Sequence, residues 1–278
     1  MPFFIVGGIT PLPTFTGLGD VVPSGLLGYW GNRAAKASLI GNNCAKLIRT
    51  DTTQADIVSA ASGFIDTGAA FFNGSAYKIV TLYDQIGVNH MGPVAGNVTS
   101  RPQFILNDFN GKPVIKCDRT VPQIMATVGG GAAYAQPFTV SMTIMVQSAN
   151  SGFNPGLIGD VLHGTDNAGG FVSTVPEVKI SASGAPNSAG VSITYDQMVS
   201  IQLLYNGGGS ASKININSTT TNVSVAGSAA LASLFNFPHD GNSDAMECKI
   251  LELAIWSGDK SSSFAALYAN KQAGWGIT

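Results

Sequence analysis

The side chains best placed to do chemistry sit at a corner. A short apolar run, Ile79-Val80-Thr81-Leu82, ends in Tyr83-Asp84-Gln85 and continues as Ile86-Gly87-Val88-Asn89-His90. A tyrosine ring followed by a carboxylate and two amides can stack on one face of a sugar and pair with its hydroxyls. The same Asp and Gln can instead tie down the following loop through side-chain-to-backbone hydrogen bonds, as Asx turns do. Both readings stand for Tyr83, Asp84, Gln85 and Asn89.

Other constellations point to ordinary structure. His90, His163 and His239 have no second ligand within four residues except Asp166 and Asp240, so loop hydrogen bonding is expected and no metal site. Asp240, Asn242 and Asp244 alternate like calcium ligands, but the glycine and distal Glu of an EF-hand are missing and a polar turn is expected. Gly129-Gly130-Gly131 lacks the Lys-Ser/Thr and helix of a phosphate loop. No cofactor is expected. Cys44, Cys117 and Cys248 read as buried small hydrophobes, with one bridge, Cys117–Cys248, as the alternative in an oxidising environment.

Composition sets the class. Only 11% of the 278 residues are charged, and 14 basic against 16 acidic residues leave a net charge of −2. That is well below the usual charged fraction of about 25%, and nothing builds the basic field that nucleic acid binding requires. No apolar run approaches the roughly 18 residues of a membrane span. The Met1–Gly8 stretch lacks the basic start and cleavage site of a signal peptide, so synthesis in the cytoplasm is expected. Low charge with 34 glycines suits a surface that meets protein or sugar.

The elements that must position the corner are mostly strands. Periodicity predicts them at 45–49, 104–106, 113–117, 138–146, 178–181, 198–205, 213–216, 221–225 and 248–256, with Asn110-Gly111 as a hairpin turn. Short helices are predicted at 32–40 (capped by Asn32) and 66–72, a polar loop at 51–56, and a closing helix at 262–272 with Phe264, Leu267 and Tyr268 on its apolar face. Glu252, between apolar neighbours, is expected to face solvent or a partner. Many short strands joined by Gly, Asn and Ser clusters predict an all-β sandwich. Residues 1–25 differ, with four prolines interleaved with apolar side chains. They read as an extended N-terminal arm ahead of a sandwich domain at 26–278. The arm lies on its own domain or docks on a neighbouring subunit.

In this order the elements resemble the α-L-arabinofuranosidase B catalytic-domain family, and more closely its phage and prophage relatives. The resemblance rests on the segments from Asn32 to Ile57, on Tyr83-Asp84-Gln85, on Arg101-Pro102, on Asn110-Gly111-Lys112-Pro113 and on the tail Ala269-Asn270-Lys271-Gln272-Ala273-Gly274-Trp275. It implies a concanavalin-like jelly-roll sandwich. Active members are retaining glycosidases, which need two carboxyl groups about 5–5.5 Å apart. The family's Asp-x-Glu-Asn nucleophile motif and vicinal cysteine pair are absent, and Ile86 replaces the family's Ser. The weak candidates the resemblance leaves are Glu177, in Val175-Pro176-Glu177-Val178, for the nucleophile and Asp240, in Pro238-His239-Asp240-Gly241-Asn242, which matches the acid/base segment loosely. The expectation that follows is a non-enzymatic, lectin-like structural protein on a tailed-phage virion surface. It would bind other virion proteins through the arm, form a homo-oligomer, and contact host glycans, without nucleic acid or membrane insertion. The alternatives are a glycoside hydrolase acting on envelope polysaccharide, or a carbohydrate-binding adhesin.

Overall fold

The computed structural model describes residues 14–74, 76–94, 100–119, 123–128, 132–147, 156–160, 168–173, 175–182, 188–207, 209–225, 227–232, 235–238 and 246–278. Eighteen strands are present among them. The first nine are β1 (Leu26–Gly31), β2 (Asn43–Arg49), β3 (Gln54–Val58), β4 (Tyr77–Leu82), β5 (Met91–Pro93), β6 (Gln103–Phe109), β7 (Lys112–Cys117), β8 (Met125–Thr127) and β9 (Phe138–Val146). The others are β10 (Gly156–Asp160), β11 (Gly169–Val172), β12 (Glu177–Ser181), β13 (Val191–Ser192), β14 (Met198–Tyr205), β15 (Gly209–Ile216), β16 (Thr219–Val225), β17 (Phe235–Phe237) and β18 (Cys248–Ser257). Helices α1 (Leu18–Val21) and α2 (Phe264–Trp275) complete the described secondary structure, with short 3-10 turns.

Every strand pairing is antiparallel, which makes the fold the expected all-β sandwich. One layer runs β1–β18–β9–β14–β15–β16. The other runs β3–β2–β4–β5–β8–β17–β10–β11–β12–β13. The β6–β7 hairpin joins them, since β6 pairs with β4 and β7 with β18. Its turn is Asn110-Gly111, both at positive φ, the conformation that makes Asn-Gly a hairpin signal.

Alternation decides what each strand buries. In β9, Phe138, Val140, Met142, Ile144 and Val146 enter the main core between the layers. Thr139, Ser141 and Thr143 are buried as well, on the opposite face, where α2 packs. A second apolar cluster forms there from Leu18, Val22, Tyr29, Trp256, Phe264 and Leu267. Trp256 is fully buried in it, and its indole Nε1 donates to the Val22 carbonyl at 3.1 Å. Residues 14–25 therefore lie on this sandwich: Asn270 Nδ2 donates to the Thr16 carbonyl at 2.9 Å, and the Gly19 amide to the Ala35 carbonyl at 2.8 Å.

Several local expectations are corrected. The helix expected at 32–40 reduces to a 3-10 turn, Ala37–Leu39, because Arg33 is drawn inward to Glu252 and Asn32 Nδ2 donates to the Pro113 carbonyl at 3.1 Å. Residues 66–72 form turns instead of a helix, with Phe71 and Phe72 packed on Tyr77. The loop expected at 51–56 gives way to β3 from Gln54 onward. Glu252 is 0% exposed. A bulge after Ile250 puts Leu251 and Glu252 off the main-core face, while Leu253 and Ile255 return to it. The face Glu252 occupies is covered by α2. There its carboxylate accepts from Arg33 Nε (2.7 Å) and Nη2 (3.1 Å), Tyr29 OH (2.8 Å), Thr143 Oγ1 (3.1 Å) and Trp275 Nε1 (3.0 Å).

Candidate functional site

The Tyr83 corner forms where β4 ends beside the start of β2. Pairing of Leu82 with Ala45 brings the turn at Gly41-Asn42-Asn43 alongside it. Between them lies a cleft of about 460 Å³ lined by Gly41, Asn42, Asn43, Tyr83, Asp84, Gln85 and His90. Gly41 turns the chain at φ 89°, a left-handed conformation that favours glycine.

Asp84 and Gln85 are anchors. Asp84 Oδ1 accepts from the amides of Tyr29 (3.1 Å) and Ile86 (3.0 Å), and Oδ2 from the amide of Asn89 (3.3 Å). Gln85 Oε1 accepts from the Ala35 amide at 2.9 Å, and its Nε2 donates to the Arg33 carbonyl at 2.9 Å. These bonds fix the loop onto β1 and the segment after it. Asn89 faces the same support: its side-chain amide donates to Tyr134 OH at 3.2 Å and its backbone carbonyl accepts from Trp30 Nε1 at 2.9 Å. It does not line the cleft.

Tyr83 and His90 present the chemistry. Their rings meet edge-to-face with centroids 5.1 Å apart. His90 Nδ1 accepts from the Asp84 amide at 3.1 Å, which sets the ring's orientation. Tyr83 OH donates to Asp56 Oδ1 at 2.6 Å. Partial burial, and then the Asp56 carboxylate, push the Tyr83 phenol up to about 12, so it stays a neutral donor. The exposed Asn42 and Asn43, with Asp56, were not legible as site residues. They reach the corner only through the β2–β3 and β2–β4 pairings.

Of the two carboxyl candidates, the described one, Glu177, does not line the cleft. Glu177 stands on β12, half-buried, 3.6 Å from Lys179 Nζ and against Gly190, where a Cβ would collide with its carboxylate. Asp240, His163, His239, Asn242, Asp244 and Gly129–Gly131 fall outside the described residues. Among the described residues no group of three His, Cys, Asp or Glu side chains is arranged to hold a metal. No described helix is long and apolar enough to cross a membrane.

No family model and no curated protein matches the chain. Solved structures do. A mutant GH54 α-L-arabinofuranosidase soaked with 4-nitrophenyl α-L-arabinofuranoside superposes with a TM-score of 0.70 at 14% identity, over 94% of this chain and 66% of that one. An arabinofuranosidase complexed with arabinofuranosyl-alpha-1,2-xylobiose gives 0.68 at 14% identity, over 94% and 65%. The Trypanosoma rangeli sialidase in complex with sialic acid gives 0.52 at 13% identity, over 90% and 33%. The chain thus spans just under two thirds of the arabinofuranosidase length and a third of the sialidase. At these identities the likeness establishes a β-sandwich fold shared with glycosidases.

The comparison overturns the expectation of a chain without enzymatic activity, since the structures that share its fold are glycoside hydrolases. The missing nucleophile motif, the missing cysteine pair and Ile86 were too narrow a ground for that expectation, because catalytic carboxylates are defined by their placement in space. None of these neighbours is a virion protein.

Proposed function

We propose that this chain acts on carbohydrate and holds a sugar residue in the cleft beside Tyr83 and His90. The observation that carries the reading is the pairing of an aromatic platform with exposed polar groups at one rigid corner. Tyr83 and His90 offer ring surface to the apolar face of a sugar, while Asn42 and Asn43 offer acceptors and donors for its hydroxyls and Asp56 orients the Tyr83 hydroxyl. The Asp84 and Gln85 bonds hold that corner in place before any ligand arrives, which lowers the cost of ordering it on binding. A screen of immobilised glycans, followed by titration calorimetry of the best binder, tests the reading. Binding that survives Tyr83→Ala unchanged overturns the cleft assignment.

A second reading, hydrolysis of a glycoside at a site separate from this cleft, is favoured by the fold shared with arabinofuranosidases. Its carboxylates would be Glu177 and Asp240, the positions the sequence resemblance singles out. Turnover of 4-nitrophenyl glycosides measures it directly. Glu177→Gln and Asp240→Asn are expected to abolish turnover and leave sugar binding unchanged, and full turnover in both variants removes the assignment.

Display on a virion surface, in a homo-oligomer docked to other virion proteins through residues 1–25, is a separate proposal. It rests on the sequence resemblance to phage relatives. Its test is whether the chain occurs at many copies in purified particles.

A further inference from the structure

Two cysteines far apart in the chain face each other in the fold. Cys117 ends β7 and Cys248 begins β18, and the antiparallel register sets them directly opposite. Both thiols are free and buried, at 1% and 0% exposure, and Cys117 is among the neighbours that push the Cys248 thiol up. Directly opposite residues of an antiparallel pair have Cα atoms about 4.5 or 5.5 Å apart. That lies inside the roughly 4.4–6.8 Å that a disulfide spans. Cys44 is elsewhere, on β2, where its Sγ accepts from Gln85 Nε2 at 3.4 Å. None of the bonds that hold the sugar cleft involves Cys117 or Cys248.

We propose that Cys117 and Cys248 are an oxidation site, forming a cross-strand disulfide that staples β7 to β18 when a small-molecule disulfide such as oxidised glutathione is the oxidant. One cysteine, as its thiolate, attacks a glutathione sulfur, breaks that S–S bond and releases the first glutathione thiolate. The second cysteine thiolate then attacks the mixed disulfide, forms the protein S–S bond and expels the other glutathione. The two thiol protons pass to the two released glutathiones, so the protein loses two electrons and glutathione gains them.

The consequence lies in what the two strands join. β7 belongs to the hairpin that links the layers, and β18 is flanked by β1, β7 and β9. A bond here closes a loop of on the order of 130 residues, the long-loop case in which a cross-link restricts the unfolded chain most. Burial shields both thiols in the folded state, so the bond forms during folding or local opening. Reduced and oxidised forms then differ in stability, and the oxidised form is the one matched to a compartment outside the reducing cytosol.

The test is refolding from urea in a mixture of oxidised and reduced glutathione. Thiols are counted under denaturing conditions, the bridge is mapped by peptide mass, and Tm is read before and after reduction. The expected result is one free thiol, Cys44, a Cys117–Cys248 peptide, and a Tm on the order of 10 °C above the reduced protein. C44A is expected to keep this redox response, and C117A and C248A to lose it. Three free thiols after oxidative refolding, or a bridge that includes Cys44, overturns the proposal. The wild-type thiol count is decisive even if a cysteine variant folds poorly.

Discussion

At the scale of single residues, two side chains define the molecule's electrostatics and its recognition. Glu252 has every oxygen engaged. Burial favours its neutral form, but Arg33 and Lys271 outweigh burial and hold its carboxyl below the usual range. Glu252→Ala leaves Arg33 buried without its counter-ion and is expected to cost about 3–5 kcal/mol, measured by urea unfolding. Lys271 is the weaker partner. Its Nζ donates to the Met142 carbonyl at 2.8 Å, and burial lowers it from 10.5 to about 7, with Arg33 opposing its charge and Glu252 supporting it. Between those values the unfolded chain holds a proton that the folded chain lacks, so stability rises with pH across this window. Tyr29, which faces the same cluster, and the thiols of Cys44 and Cys248 are pushed up by burial and act oppositely near and above pH 9. The clean window is therefore about pH 7–8.5, where Tm is expected to climb in the wild type and to flatten in Lys271→Met. At the cleft, Tyr83→Ala is expected to weaken glycan binding at least about tenfold, a loss of about 1.4 kcal/mol, with little change in Tm. Tyr83→Phe keeps the ring, removes only the Asp56 bond, and is expected to retain most of the affinity.

At the scale of elements, β18 carries the fold. Its first residues pair with β7 and its later ones with β1, while β9 runs along its other side throughout. Both faces are covered, one by the main core and one by α2 and residues 14–25. Trp256 is the largest side chain on the second face, clustered with Leu18, Phe264 and Leu267. Trp256→Ala is expected to cost about 3–5 kcal/mol by chemical unfolding, and a near-native midpoint would show that α2 detaches without loss. The strand was legible from its alternation, as were β9, β14 and the Asn110-Gly111 turn. The bulge after Ile250 was not, because a bulge arises from ladder geometry and leaves no mark on the apolar pattern.

At the scale of the whole molecule, the N-terminal stretch serves the sandwich. Leu18 and Val22 are buried against Trp256 and Tyr29, and the nearby Phe15 ring meets Phe64 at 6.2 Å. Deleting residues 2–22 removes both buried aliphatics and is expected to destabilise the chain by about 3–6 kcal/mol, visible as a lowered Tm or insolubility. Docking on a neighbour is tested separately by deleting residues 2–13, which keeps Leu18 and Val22. Loss of self-association with Tm retained supports docking through that segment, and unchanged association by light scattering removes it.

The sequence alone determined the class of fold, because strand alternation and turn residues are local properties written in neighbouring side chains. It also identified the Tyr83-Asp84-Gln85 corner, a local cluster of polar groups after an apolar run. Only the tertiary structure decided which of those groups anchor and which face a ligand. Asp84 and Gln85 are occupied by amides and carbonyls contributed from Tyr29 to Ala35, some fifty residues away in the chain. Asn42 and Asn43 line the cleft and Asp56 bonds Tyr83 because β2 pairs with both β3 and β4. Glu252 followed the same logic: its own neighbours suggest an exposed position, and burial came from Arg33, α2 and Trp275, distant in sequence. Contacts between residues far apart in the chain depend on how the layers stack, and no local pattern records that.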